Sequence, residues 1–262
     1  MEFEGKSILI TGGAGDIGFA VAERFSAEGA AILLTDMKED KLRERKEQLE
    51  ERGGKAYTYV ADVTDVASLQ GMVRKIEKDG LRIDMLFNNA GYQGEFKKTF
   101  EYPPEDFEKV ITINLVGAFN VLRVVSEHMV RKGGGAIVNT ASMAGVDGPP
   151  NMIAYGASKF GVVGMTETAS KDLAPYKIRV NAISPAFMGP GYMWDRQVEL
   201  QAKADSQYFD KDPKVVAEQM IGSVPMRRYG DITEIPGTVV YLMGKDASYV
   251  TGINVPIAGG IL

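Results

Sequence analysis

Tyr155 and Lys159 stand four residues apart in the run Tyr155-Gly156-Ala157-Ser158-Lys159. On a helix that spacing puts both side chains on one face. A free phenol ionises near pH ~10, so it serves as a base near neutrality only beside a cation, which the Lys159 ammonium supplies. A phenol activated in this way takes the proton of a carbinol as hydride leaves the carbon, and returns it in reduction. Ser142, just ahead of the same helix, is the residue expected to hydrogen-bond the substrate oxygen. A Tyr and a Lys at this spacing also arise by chance as a surface pair, so the rest of the chain has to support them.

Ile8, Leu9 and Ile10 run into Thr11-Gly12-Gly13-Ala14-Gly15-Asp16-Ile17-Gly18, after which Phe19, Ala20 and Val21 begin a helical pattern. Gly13-x-Gly15-x-x-Gly18 matches a dinucleotide-binding fingerprint, in which glycines make the turn, let backbone approach the pyrophosphate and allow close helix packing. The helix N-terminus then offers N–H groups to phosphate. Gly12, Gly15, Asp16, Ile17 and Gly18 are the candidate contacts. Asp36 closes the second apolar run, 18 residues beyond Gly18, with Met37 after it. A carboxylate there accepts hydrogen bonds from the two ribose hydroxyls and repels a 2′-phosphate, which favours NAD over NADP, although nearby Lys38 leaves room for both. Asp62-Val63 and Asn88-Asn89-Ala90-Gly91 follow the next two runs, at the edge where open α/β sheets place ligands. Either alone reads equally well as a turn.

These residues need a frame. Short apolar runs at residues 7–10, 31–35, 56–60, 83–87, 136–140 and 178–182 read as buried strands, and the stretches 20–28, 38–52, 67–78, 105–131 and 154–174 between them read as helices. That alternation predicts an α/β fold with a parallel sheet covered on both faces. The absence of a low-complexity linker makes residues 1–262 one domain. After Pro185 the chain turns irregular, with Gly, Pro, Trp, Tyr and Met, before helical segments near 213–221 and 232–245. Residues 186–228 or so are expected to form a substrate lid. The charge run 38–52 reads as the wet face of a helix, with Glu39 and Arg43 as an i,i+4 pair, and the single histidine, His128, as packed or at an interface rather than catalytic.

A formal net charge of −5 excludes a nucleic-acid partner as the main expectation. With no cysteine and one histidine, thiol nucleophiles, disulfides, thiolate metal sites and His-based triads are excluded together. No catalytic metal is expected, whereas a structural Mg²⁺ at a subunit contact would leave almost no trace. The N-terminus MEFEGKSILITGG lacks a basic n-region and a long apolar core, and no run approaches the ~20 apolar residues of a membrane span, so a cytoplasmic protein without a membrane partner is expected.

Taken in order, the glycine loop, Asp36, Asn88-Asn89-Ala90-Gly91, Asn114, Ser142, Tyr155 and Lys159 resemble the short-chain dehydrogenase/reductase family over essentially the full length. The resemblance implies a Rossmann fold with a seven-stranded parallel sheet and a catalytic tetrad of Asn114, Ser142, Tyr155 and Lys159. The asparagine of such a tetrad holds a water that links the lysine to a proton relay. It further implies that Pro185 and the backbone near Met188 touch the nicotinamide, and that the protein is a homotetramer whose dimer faces carry the helices of Asn114 and Tyr155. Asp16 departs from the family, standing where its loop has a middle glycine, and puts a charge beside the pyrophosphate. Ala186 also departs, replacing the glycine after Pro185, and no threonine follows to bind the carboxamide.

Within the family, the stretches 87–94, 142–146, 148–152 and 189–194, with 196–208 and 223–231, resemble polyol dehydrogenases of the xylitol-to-D-xylulose type. The implied reaction is NAD-dependent oxidation of a polyol to a ketose. Gln93, Ser142 and Asn151 would then contact hydroxyls while Met143, Met188 and Trp194 line the wall. Lid packing is the alternative for Trp194 and the methionines, and simple exposure for Gln93. Two rival functions stay open: an NAD(P)H-dependent carbonyl reductase for ketoacyl or cyclic ketone substrates with a more apolar pocket, and a cofactor-sensing binding protein without turnover.

Overall fold

The computed structural model describes residues 1–261. Strand β1 (Ser7–Thr11) leads through the glycine loop to α1 (Asp16–Ala27), followed by β2 (Ala31–Asp36), α2 (Glu39–Glu51), β3 (Lys55–Val60), α3 (Val66–Lys78) and β4 (Met85–Asn88). The second half runs α4 (Pro104–Ile111), α5 (Gly117–Lys132), β5 (Gly135–Thr140), α6 (Ile153–Leu173) and β6 (Ile178–Pro185). Then come β7 (Met188–Gly189), α7 (Tyr192–Lys203), α8 (Pro213–Ser223), β8 (Gly230–Asp231), α9 (Ile235–Met243) and β9 (Asn254–Ile257).

Seven strands form one sheet in the order β3-β2-β1-β4-β5-β6-β9, every pair parallel. Strand residues alternate between two cores because successive side chains leave a strand on opposite faces. Ile8, Ile10, Ile32 and Leu34 pack on one face with Phe19, Phe25, Leu42, Leu49 and Val239 from α1, α2 and α9. Leu9, Leu33 and Leu86 point to the other, against Leu69, Ile76, Val121 and Val125 of α3 and α5, with Met165 and Ala169 of α6 beside them. The strand order reverses between β1 and β4. Their loops therefore part and open a crevice at the carboxyl edge, where doubly wound sheets bind ligands.

The predicted helix over 105–131 is broken by one π turn, Thr112–Val116, and Asn114 sits inside it. By length and composition alone Pro104–Lys132 is apolar enough to cross a membrane. The sequence predicts a helix here and no run close to a membrane span, and the stretch is a core helix, with Val110, Val121, Val125 and Met129 fully buried. β4 starts at Met85 rather than at Ile83, because the Ile83 N–H donates to His128 Nε2 at 3.1 Å and is lost to the ladder. The lid is more regular than its composition suggested. α7 buries Trp194, Val198, Gln201 and Ala202 on one face, and with Val216 and Met220 of α8 it forms a small separate core.

Candidate active site

The glycine loop is shaped by what its glycines touch. Gly12 has φ +64°, and a Cβ there would lie 3.1 Å from Ala90 Cα. A Cβ on Gly18 would meet Gly12 O at 2.4 Å and one on Gly13 would meet Leu34 at 2.9 Å, so these two close the loop onto α1 and β2. Gly15 has nothing nearer than 3.4 Å, which leaves the floor of the crevice bare for a ligand to approach backbone. Thr11 ties the two loops of the switch point together: its Oγ1 accepts from Asn89 N at 2.8 Å and Ala90 N at 3.0 Å, and its carbonyl accepts from Asn89 Nδ2 at 3.2 Å.

A cleft of about 540 Å³ follows, lined from the glycine loop and Asp36 at one end, through Asn89, Ala90, Gly91 and Gln93, to Tyr155, Lys159, Met188 and Trp194 at the other. Gly12, Gly15, Asp16 and Ile17 line it as expected, whereas Gly18 is taken up by packing. Met37 points to solvent, 66% exposed. Asp62 and Val63 stand at the carboxyl edge but outside the lining. Asp62 Oδ1 caps its own turn through Thr64 N and Oγ1, and the Val63 carbonyl accepts from Asn120 Nδ2 at 3.1 Å. Pro185 ends β6 just beneath the cleft, with its carbonyl 3.5 Å from the Ser142 hydroxyl.

At the deep end, α6 presents Tyr155 and Lys159 together. Lys159 is 4% exposed, lies 5.6 Å from the centroid of the Tyr155 ring and donates to Thr140 O at 2.7 Å. Burial lowers its pKa to about 8. The same burial raises the Tyr155 phenol, and the Ser142 hydroxyl beside it pulls it back down. Desolvation opposes both charged forms, so the two groups titrate as a unit.

Asn114, 1% exposed, has every amide group engaged. Its Oδ1 accepts from Tyr92 N at 2.7 Å, and its Nδ2 donates to Tyr92 O at 2.8 Å and to Ser158 Oγ at 3.1 Å. Ser158 in turn donates to Tyr155 O at 2.7 Å. The side chain thus clamps the loop after β4 onto α6, and the π turn is what turns it inward, a local widening that recurs at functional sites. A second buried chain, Asn88 Nδ2 to Asn139 Oδ1 and Asn139 Nδ2 to Thr166 Oγ1, both 3.0 Å, fixes α6 against β4 and β5.

The substrate-loop candidates divide. Gln93 is 7% exposed and lines the cleft, and among the described residues its Oε1 meets no hydrogen-bond partner. Its loop is held by Asp106, which accepts from Glu95 N at 2.8 Å, and by Arg196 of α7, which donates to Gly94 O at 3.1 Å. Met188 and Trp194 line the wall, Trp194 packed edge-on to Phe187 at 6.1 Å and tilted against Tyr229 at 5.2 Å. Asn151 is a correction. Its Nδ2 donates to Gln201 Oε1 at 2.9 Å and Ser206 Oγ at 3.0 Å, so it anchors the lid and stands outside the cleft. Met143 is buried in a short 3-10 turn and is likewise absent from the lining.

Tyr92, Thr140, Lys38, Lys41, Arg45, Tyr192 and Met193 also line the cleft and were not singled out as site residues. Lys41 and Arg45 belong to the charge run read as a purely wet helix face. Its outer side does carry the Glu39–Arg43 pair, at 3.6 Å, but the 38, 41 and 45 spacing turns a second face to the cleft. The acid at Asp16 was the available signal for that basic face.

Residues 6–200 match the pattern that defines the short chain dehydrogenases. A solved structure of NAD⁺-bound xylitol dehydrogenase superposes with a TM-score of 0.98 at 58% identity, covering 99% of this chain and 100% of that one. Levodione reductase of Leifsonia aquatica is 39% identical over 98% of this chain and 94% of its own. The 3-oxoacyl-acyl-carrier-protein reductase of Thermotoga maritima is 35% identical over the whole of both.

Proposed function

Because this chain belongs to the short-chain dehydrogenase family, we propose that it oxidises a linear polyol to a ketose with NAD, in the manner of xylitol to D-xylulose. The residues present fit that cofactor. The bare floor at Gly15, with Gly12, Asp16 and Ile17 beside it, would hold the diphosphate while Gly18 lets α1 pack close, and Asp36 would meet the adenosine ribose, with Met37, Asp62 and Val63 lying outside the cleft lining. Asn89, Ala90 and Gly91 would span the middle, and Tyr155, Lys159 and Met188, with Pro185 beneath them, would enclose the nicotinamide end. The likeness to the NAD⁺-bound xylitol dehydrogenase supports the choice, as does the Asp36 carboxylate, which repels a 2′-phosphate.

A bound nicotinamide supplies the hydride acceptor. The chain supplies the proton chemistry: Tyr155 Oη removes the hydroxyl proton, Ser142 steadies the oxygen, and Lys159, fixed by Thr140 O, stabilises the phenolate. Asn114 positions the two halves of the site through Tyr92 and Ser158.

The observation that carries the polyol reading is Gln93 Oε1. A buried acceptor left unsatisfied costs about 1–3 kcal/mol, and a second hydroxyl on the substrate provides the missing donor. Ketone reduction is the rival, supported by the two reductase relatives, and an apolar ketone leaves that oxygen unpaired. Gln93→Leu is expected to lower kcat/KM for xylitol by about ten- to a hundredfold while sparing a simple secondary alcohol. Equal effects on both substrates, or none, would contradict the reading.

We infer in addition a homotetramer. Val116 of the π turn, Phe119 of α5, and Ile153 and Phe160 of α6 are all more than a third exposed, exposed apolar side chains that suit a second copy. The cysteine-free sequence supports a reducing, cytoplasmic setting.

A further inference from the structure

The glycine loop carries a negative charge where a diphosphate is to bind, and a residue of the next helix answers it. Asp16 is the first residue of α1. A carboxylate in the first turn of a helix enjoys the same positive end that a phosphate would use, and so competes with it. Asp16 Oδ1 accepts a hydrogen bond from Arg45 Nη2 of α2 at 3.3 Å.

Arg45 is not a loose surface arginine. Its side chain is 20% exposed, its guanidinium carbon lies 4.2 Å from the centroid of the Phe19 ring, and Nη1 donates to Gln48 Oε1 at 3.1 Å. Its Nε is buried and meets no acceptor among the described residues. Phe19 belongs to α1, so the stacking fixes the guanidinium against the very helix whose N-terminus bears Asp16. Asp16, Arg45, Lys38 and Lys41 all line the cleft. A guanidinium has five N–H donors, and two are committed here.

We propose that Arg45 is a positioning residue for the cofactor diphosphate, acting through Asp16. By pairing with the carboxylate it cancels the loop's charge and keeps Asp16 drawn towards α2, leaving the loop N–H groups for phosphate. This rests on the reading that the cleft takes NAD. It explains how an acid is tolerated in this loop, and it makes a coupled prediction: the need for Arg45 disappears with Asp16.

The test is a fluorescence titration with NADH on the full-length protein, for wild type, Arg45→Met, Asp16→Asn and the double variant, with thermal melts to establish folding. Arg45→Met is expected to weaken NADH binding about tenfold or more, and in the Asp16→Asn background the same change is expected to cost less than about threefold. Arg45→Lys, which keeps the charge, is expected to recover most of the loss and covers the case in which the methionine variant folds poorly. In turnover, Arg45→Met should raise KM for NAD far more than it lowers kcat. A wild-type affinity in Arg45→Met would overturn the proposal, as would equal losses in both backgrounds, which would make Arg45 a direct contact instead. Failure of the wild type itself to bind NADH would overturn the cofactor reading along with it, and so is distinguishable from failure at Arg45 alone.

Discussion

Lys159 is buried and Tyr155 half-buried in the cleft wall, and burial works against both of their charged forms. Lys159 is the easier of the two to deprotonate, at about 8, while the phenol is pushed above its ordinary value. The form active in oxidation, phenolate beside ammonium, is one tautomer of the pair after a single proton has left. Its population therefore rises as the pair loses its first proton and falls only when the second leaves. The kcat/KM for oxidation is expected to climb with pH through about 8 and hold above it, and Tyr155→Phe should abolish turnover while leaving NADH binding intact. A profile flat from about pH 6 to 9 would contradict this assignment. The spacing of Tyr155 and Lys159 was legible in the sequence because helix periodicity fixes it. Their electrostatics were not, since those depend on how much of the fold closes over α6. Asn151 illustrates the same limit: its amide suits a sugar hydroxyl as well as it suits Gln201 and Ser206, and only the fold of the lid decides between them.

Elements position these residues, and some were harder to read than others. Strands with continuous apolar runs, such as Ile8 to Ile10 and Ile32 to Leu34, were legible because both faces are buried. β9, with Asn254 and Pro256 among its four residues, pairs only on one side and has no such run. α7 was hidden behind glycines and prolines, although Trp194, Val198, Gln201 and Ala202 keep helical spacing. His128 was read as packed or at an interface, and it is packed. It locks α5 to the start of β4, its Nε2 accepting the Ile83 N–H and its Nδ1 lying 2.9 Å from Glu77 Oε1 of α3. Burial lowers its pKa below the ordinary 6.5, with Glu77 opposing and Lys132 and Arg131 assisting. The folded state thus resists the proton that the unfolded chain takes up. Stability contributed by the neutral ring is full above pH 6.5 and is lost as pH falls from there towards the lower folded value. The Glu77 carboxylate, also lowered, keeps its contribution until pH falls below 4.5. Thermal midpoints measured from about pH 7.5 down to 5 should decline, and His128→Leu should flatten that decline. An equally steep fall in the variant would place the acid sensitivity elsewhere.

At the scale of the whole molecule, a parallel sheet whose strand order reverses between β1 and β4 gathers the glycine loop, the Asn89 loop, α6 and the lid around one cleft. The ordered set of motifs made that architecture legible, because the glycine loop, Asp36, Asn88-Asn89-Ala90-Gly91 and Ser142 each fall at or just past the carboxyl end of a strand, with Asn114, Tyr155 and Lys159 on the helices between. The lid's own core and its latch from Arg196 to Gly94 O were not legible, being contacts between segments distant in sequence. The apolar surface around Phe119 and Phe160 leads to the expectation of a tetramer by sedimentation equilibrium, and a monomer at micromolar concentration would contradict it. The central claim is tested most directly by NADH formation from xylitol, with NAD and then NADP, followed by absorbance in one assay. Saturable turnover with NAD, falling by at least about tenfold in kcat/KM with NADP because Asp36 repels the extra phosphate, is the predicted result. Silence on xylitol and other polyols, with a cyclic ketone reduced by NADPH, would contradict both the substrate and the cofactor assigned to this site.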